Sequence, residues 1–229
     1  HIAAPNFVMI TNIGKAHLEG FGGVEGIKRG KSEMYRYIAA HEGKIFINTD
    51  DEVLCSLLPQ NTETINYSTK ALVQVISEEP TLTLNYYGKN IETKLYGGYN
   101  LPNIAFAIAV GTYFGVDETN ICDAIAHYVP DNNRSQLVKQ GTNTIVKDAY
   151  NANPSSMYLS IISFSKLDGD KVIVLGDMLE LGDHAEMEHA KIIDLSLQLG
   201  FVDRIFIGPH FRKAGFGKGG QYFDDVETA

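Results

Sequence analysis

The sequence predicts an α/β protein built mostly on parallel sheet, and three observations carry that prediction. Short apolar runs bounded by Gly, Asn or Asp recur along the chain, segments of helical period separate them, and residues 72–96 alone alternate with period two. The apolar runs lie at 7–11, 44–48, 171–175 and 204–208. Their near-continuous apolarity is that of strands buried on both faces, as parallel strands are. Helical period runs over 24–40, 101–114 and 186–199, which gives a βαβα order and a sheet covered on both faces. In the exceptional stretch, residues 82–87 and 91–96 alternate around Gly88-Lys89-Asn90, so an antiparallel hairpin is expected, attached to the parallel sheet.

Composition narrows the function. The chain has 229 residues, 44% hydrophobic and 21% charged, which suits a globular protein and excludes disorder, collagen and coiled coil. With 28 acidic against 19 basic residues the formal net charge is -9, which argues against nucleic acid as a partner. No stretch approaches the roughly eighteen uninterrupted apolar residues of a membrane span, and residues 1–7 lack the order of a signal peptide, so a cytoplasmic protein is expected. Cys55 and Cys122 stand apart from each other and from metal-ligand partners and read as packing residues.

Length and pattern favour two domains, 1–130 and 131–229, joined at Val129-Pro-Asp-Asn-Asn-Arg134, where a helical stretch ends in a polar link containing proline. The second part opens with apolar runs at 136–139 and 144–147. It then proceeds strand, turn, helix, strand, helix, strand in a doubly wound outline, and residues 221–229 read as a strand followed by the opening of a helix.

Four segments carry candidate chemistry. Gly30-Lys31-Ser32 ends like a phosphate loop, but Glu25 stands where the first glycine is required and the surroundings read as helix; Lys28, Arg29, Lys31 and Arg36 then form a basic helix face. Residues 10–19 run from an apolar strand into a polar turn bearing His17 and Glu19, a favoured place for a ligand site, although a histidine bonded within its own turn has the same pattern. Asp148, Tyr150, Asn151 and Asn153 follow a strand and precede a helix start at Pro154; the Asp is placed to accept from a ribose, or the polar residues serve as turn and cap. Asn100 and Asn103 enter a helix three apart, suited to reading a purine edge or, for Asn100, to capping the helix.

Together these segments resemble the Mur ligase family, and within it the MurF type. The resemblance rests on residues 10–22, Lys31-Ser-Glu33, Asn48-Thr-Asp-Asp51, Gly98-Tyr-Asn-Leu-Pro-Asn103, Asp148-Ala-Tyr-Asn-Ala-Asn-Pro154 and Val174-Leu-Gly-Asp-Met-Leu-Glu-Leu-Gly182, in family order. It implies a central ATP-binding domain followed by a Rossmann-like C-terminal domain. It also implies an ATP-dependent ligase of peptidoglycan precursor synthesis that joins D-Ala-D-Ala to a UDP-N-acetylmuramoyl (UDP-MurNAc) tripeptide through an acyl phosphate, working as a monomer.

Carried over residue by residue, the resemblance makes His17 a ligand of Mg²⁺ and Lys31 a lysine that CO₂ converts to a carbamate, itself metal-bound. It gives Asn100 and Asn103 to the adenine, Asp148 to the ribose, Arg134 to the phosphates of ATP, and Tyr150, Asn151 and Asn153 to substrate positioning. This chain departs from the family pattern at Tyr99, where a histidine is usual, and at Lys147, where a second acid is common. It also shows no uridine-nucleotide domain and no GKT phosphate loop, so it is expected to be a fragment of a longer ligase, inactive alone. The rivals are a folylpolyglutamate synthase-like ligase, which the Tyr150-Asn-Ala-Asn-Pro string opposes, and a non-catalytic nucleotide-binding module.

Overall fold

The computed structural model describes residues 4–131 and 133–229, and its chain divides into two compact units. One comprises His1–Ile13 with Val24–Val129, the other Gly14–Gly23 with Pro130–Ala229. Asn132, within the expected linker, lies outside the described residues.

Strand β1 (Phe7–Met9) is followed by α1 (Leu18–Phe21), which groups with the second unit. The first unit resumes with α2 (Val24–Lys31), α3 (Glu33–Ala40), β2 (Lys44–Asn48), α4 (Glu52–Ser56) and β3 (Glu63–Tyr67). The three strands form a parallel sheet with β2 in the middle, Ile45 opposite Val8 and Thr64. Strand β2 is apolar at every central position because both its faces are buried. Ile45 and Ile47 join Ile10, Tyr35, Ile38 and Leu54 in one core, while Phe46 meets the rings of Phe7, Phe106 and Tyr113. The single helix expected over 24–40 is two helices. At the junction the Ser32 hydroxyl donates to Arg29 O (3.0 Å) and accepts from Arg36 Nη1 (2.9 Å), a local side-chain bond that competes with helical backbone geometry.

After α5 (Thr69–Leu72) come β4 (Gln74–Ser77), β5 (Thr83–Tyr86) and β6 (Lys89–Glu92). The expected hairpin is β5–β6, and its turn residues Tyr87 and Gly88 have φ of 47° and 81°, the positive values a tight two-residue turn demands. It is not attached to the parallel sheet, however; with β4 it makes an antiparallel sheet of its own. The reason is burial. Leu84, Tyr86 and Ile91 put one apolar face against Ile104 and Ile108 of α6 (Leu101–Tyr113) and Ile121 and Ile125 of α7 (Glu118–His127), so the hairpin needs no second sheet to cover it.

The second unit begins with an antiparallel pair, β7 (Gln136–Gln140) and β8 (Asn143–Lys147), turning through Gly141 at φ 61°. Then follow α8 (Pro154–Ser165), β9 (Val172–Gly176), α9 (Ala185–Gln198), β10 (Asp203–Ile207), α10 (Pro209–Ala214) and β11 (Gln221–Phe223). The last three strands are parallel in the order β11-β10-β9. Because each step from β9 to β10 to β11 goes the same way, right-handed crossovers put α9 and α10 on one face. That face holds Ile173 and Phe206, 5% and 0% exposed. On the other, Val172 and Val174 are 48% and 58% exposed. Beyond β11 the chain bends, and Asp225 accepts from the Thr228 amide and hydroxyl (both 2.9 Å), three residues on as an N-cap side chain would.

Gly208 between β10 and α10 has φ 121°, and a Cβ there would collide with the Asp177 carboxylate. That carboxylate accepts the amides of His210 (2.9 Å) and Phe211 (2.8 Å) and so starts α10. Gly208→Ala is therefore expected to cost at least about 2 kcal/mol by strain and loss of those bonds. Gly20→Ala, with open space around it, should change stability by less than about 1 kcal/mol. Urea unfolding of the two variants checks the contrast.

Candidate functional site

In the first unit, Lys31 ends α2 and its Nζ donates to Asn12 O (2.9 Å). Burial pushes its pKa down from the ordinary lysine value, which raises the fraction of neutral, nucleophilic amine. Asn100 closes a 3₁₀ turn, Gly98–Asn100, that leads into α6, and it is nearly buried. Its side chain makes no capping bond; instead Nδ2 donates to Tyr96 O (2.8 Å), and Asn103 Nδ2 donates to Asn100 Oδ1 (3.2 Å). The two asparagines are thus brought together as a linked amide pair, with Asn103 exposed. Tyr99 packs edge-on against Tyr96 at 6.4 Å between ring centres.

In the second unit three of the predicted residues converge. Asp148 Oδ1 accepts the Ser135 amide (3.2 Å), Ala149 N donates to Asn133 O (2.8 Å), and the Arg134 guanidinium lies over the Tyr150 ring at 3.9 Å. A cation over an aromatic face at that distance is an attractive contact. Asn133 and Ser135 flank the arginine with φ of 55° and 50°, so the short run from 133 to 135 is bent to bring Arg134 beside Asp148 and Tyr150. Asn151 is exposed. Asn153 is the cap of α8: its Oδ1 accepts from Ser155 N (3.1 Å) and Ser156 N (3.0 Å), and the Ser156 hydroxyl accepts in return from Asn153 N (3.4 Å). Of the two readings of that side chain, turn-and-cap is the one the structure displays.

His17 groups with the second unit, at φ 58° just before α1, with its Nδ1 against the Glu180 carboxylate. Around it, Glu19 N donates to Glu180 O (3.1 Å) and Lys15 N donates to Ser155 Oγ (3.1 Å). Lys15 Nζ pairs with Glu188 (2.8 Å). Burial works against the Glu188 carboxylate, yet hydrogen bonds from Lys15 and Lys191 outweigh it and hold its pKa below the ordinary value. Among the described residues no group of three or more His, Cys, Asp or Glu side chains is arranged as a metal cage.

Sequence reasoning passed over Glu180, Glu188 and His189. His189 is fully buried, its Nδ1 facing Ala185 O (2.6 Å) and its Nε2 accepting the Met178 amide (3.0 Å), with Asp177 3.5 Å away and the His210 ring stacked at 5.4 Å. The available signal was weak: a lone His among helical apolar positions reads as core. For Glu180 the signal was a charge between two leucines in a turn bounded by glycines 176 and 182.

Comparison with known proteins shows the family of the chain. Residues 1–111 match the Mur ligase middle domain and residues 133–227 the Mur ligase, glutamate ligase domain. The chain belongs to the Mur ligase family. It is 34% identical over 219 residues to the UDP-N-acetylmuramoyl-tripeptide--D-alanyl-D-alanine ligase of Bacillus subtilis, covering 90% of this chain and 46% of that protein. A crystal structure of MurF from Acinetobacter baumannii superposes with a TM-score of 0.82 at 26% identity, covering 96% of this chain and 51% of the other. A bifunctional folylpolyglutamate synthase/dihydrofolate synthase from Yersinia pestis shares the fold, with a TM-score of 0.63 at 18% identity over 99% and 55% of the two chains. The chain spans about half the length of the curated relatives it matches. No helix among the described residues is long and apolar enough to cross a membrane.

Burial pushes the His189 pKa down, reinforced by His210 and opposed by the Ala185 carbonyl and Asp177. The unfolded chain then binds more protons than the folded one once pH falls below about 6.5, the ordinary histidine value. Stability contributed by neutral His189 is thus complete above that pH and is lost on acidification until the folded pKa is reached. The stability difference between the wild type and His189→Gln, measured by urea unfolding, should stay level from pH 7.5 to about 6.5 and shrink from there to pH 5.

Proposed function

We propose that the chain is the ATP-handling part of a ligase that adds D-Ala-D-Ala to a UDP-MurNAc tripeptide. On this reading residues 1–130 are the central ATP-binding domain and 131–229 the C-terminal domain of a monomeric cytoplasmic enzyme. The observation that carries it is the 34% identity to the Bacillus subtilis ligase across 90% of the chain, joined to the clustering of Arg134, Asp148 and Tyr150. The 18% identity of the folylpolyglutamate synthase supports a shared scaffold only.

The chemistry begins when the terminal carboxylate of the tripeptide attacks the γ-phosphorus of ATP, giving an acyl phosphate and ADP. The amine of D-Ala-D-Ala then attacks the acyl carbon, the C–O bond to phosphate breaks, and the proton lost by the amine leaves with solvent. Both steps bring anions or dipoles into close approach, so positioning and charge compensation supply most of the acceleration. Asn100 and Asn103 hold the adenine with their linked amides, and Asp148 holds the ribose hydroxyls. Arg134, kept in place over Tyr150, compensates charge on the phosphates. Tyr150, Asn151 and the amide nitrogen of Asn153 position the peptide substrate.

His17 offers an imidazole donor for Mg²⁺, and Lys31, once CO₂ adds to its neutral amine, offers a carbamate oxygen. A small hard cation takes few protein ligands and completes its shell with phosphate oxygens and water. Mg²⁺ would supply charge neutralisation on the phosphates. The depressed pKa of Lys31 supports its modification, because only the neutral amine adds CO₂.

The test uses the protein expressed from its complete reading frame with ATP, Mg²⁺ and the UDP-MurNAc tripeptide. Phosphate release should depend on D-Ala-D-Ala, and Lys31→Ala should lower the rate at least about 100-fold, the scale at which metal-shell changes act. Labelling with ¹³C-bicarbonate should give a carbamate resonance that the variant lacks. Release without the dipeptide, or with glutamate and a folate in its place, would reject the reading.

A further inference from the structure

The LGDMLELG turn does more than cover the end of β9. We propose that Glu180 is a positioning residue for His17, fixing its tautomer so that Nε2 is the nitrogen presented to a divalent cation. This rests on the reading of His17 as a metal ligand given above.

Four observations place Glu180 there by construction. Its carboxylate meets His17 Nδ1, and its carbonyl accepts the Glu19 amide (3.1 Å), so side chain and backbone grip the same short segment. Both residues sit at positive φ, 58° for His17 and 60° for Glu180. Side chains rarely tolerate that region, and two such residues facing each other mark a geometry held by its surroundings. Gly182 at φ 53° lies under Glu19, with the Glu19 Cβ 3.3 Å from where a side chain would begin, so the turn approaches the segment closely. The turn itself is pinned from behind, because Asp177 starts α10 and the Met178 amide donates to buried His189 Nε2 (3.0 Å).

The chemistry follows from the two ring nitrogens. An imidazole that donates Nδ1–H to a carboxylate keeps its Nε2 lone pair available. A free imidazole chooses the tautomer by itself; His17 does not. Lys15 completes the arrangement, holding the segment upstream of His17 through Ser155 and Glu188 (3.1 and 2.8 Å).

The experiment uses the protein from its complete reading frame, labelled with ¹⁵N at histidine, with the His17 signals assigned by their loss in His17→Gln. Without metal, His17 should be Nδ1-protonated in the wild type and in Glu180→Gln, whose amide oxygen can still accept, and should shift toward the Nε2–H form in Glu180→Ala. Added Mn²⁺ with ATP should broaden His17 Nε2 first, and Glu180→Ala should weaken that binding about 10- to 100-fold. An Nε2–H tautomer in the wild type, or a tautomer indifferent to Glu180→Ala, overturns the proposal whatever the metal does. A tautomer that obeys Glu180 while Mn²⁺ leaves His17 sharp overturns the metal-ligand reading, and the presentation of Nε2 to a cation goes with it. The histidine chemical shift distinguishes these without reference to turnover, and retained signal dispersion in Glu180→Ala shows that the variant is folded.

Discussion

A fully buried neutral histidine, bonded on both nitrogens, is the constraint on which the second unit's polar turn depends. His189 can accept the Met178 amide only while Nε2 is unprotonated, and it gives its other proton to the preceding turn of its own helix. With that amide satisfied, the chain leaving β9 is committed to one course, and Asp177 is aimed at the start of α10. Everything from Met178 to Gly182 is then suspended between two fixed ends. A buried donor left unpaired costs as much as several surface contacts contribute, which is why one ring can dictate the path of a polar turn.

The two units divide the chemistry unevenly. Lys31 and the Asn100–Asn103 pair belong to the first, the pair at the start of α6, which packs against β5 and β6. His17, although early in the sequence, shares its unit with Arg134, Asp148 and Tyr150. In each unit the residues proposed for chemical roles lie at or near the ends of elements, where the backbone is least satisfied by regular bonding. Asn153 shows the limit of that economy, since the amide oxygen that could address a ligand is spent on the start of α8.

Much of this was legible before any coordinates. The apolar run of β2 announced a strand buried on both faces, and the alternation from Leu82 to Tyr96 announced the hairpin, because burial period is written directly in residue type. The break at Ser32 was not legible, since residues on either side keep one helical period and the interruption is a single hydroxyl bond. Nor was the exposed face of β9, because Val172 and Val174 look like core residues, and only the direction of successive crossovers shows that both following helices lie opposite. Motif strings singled out the candidate site residues. They could not pair His17 with Glu180, as that contact is made across 163 positions of chain.

That separation has a kinetic meaning. The β5–β6 hairpin closes over a few residues, and the parallel pairs within each sheet over a few tens, whereas Lys15 reaches Ser155 and Glu188 across 140 and 173 positions. Closing so long a loop is entropically costly and rewards the chain only after both of its ends are already ordered. The segment bearing His17 is therefore among the last parts to settle during folding and among the first to detach in native fluctuations, while the cores on either side of it in the sequence stay intact. An organism could lose the precision of this site through a change in Lys15 or Glu188 long before it lost the fold, and the damage would register in hydrogen exchange of residues 15–19 rather than in a melting temperature.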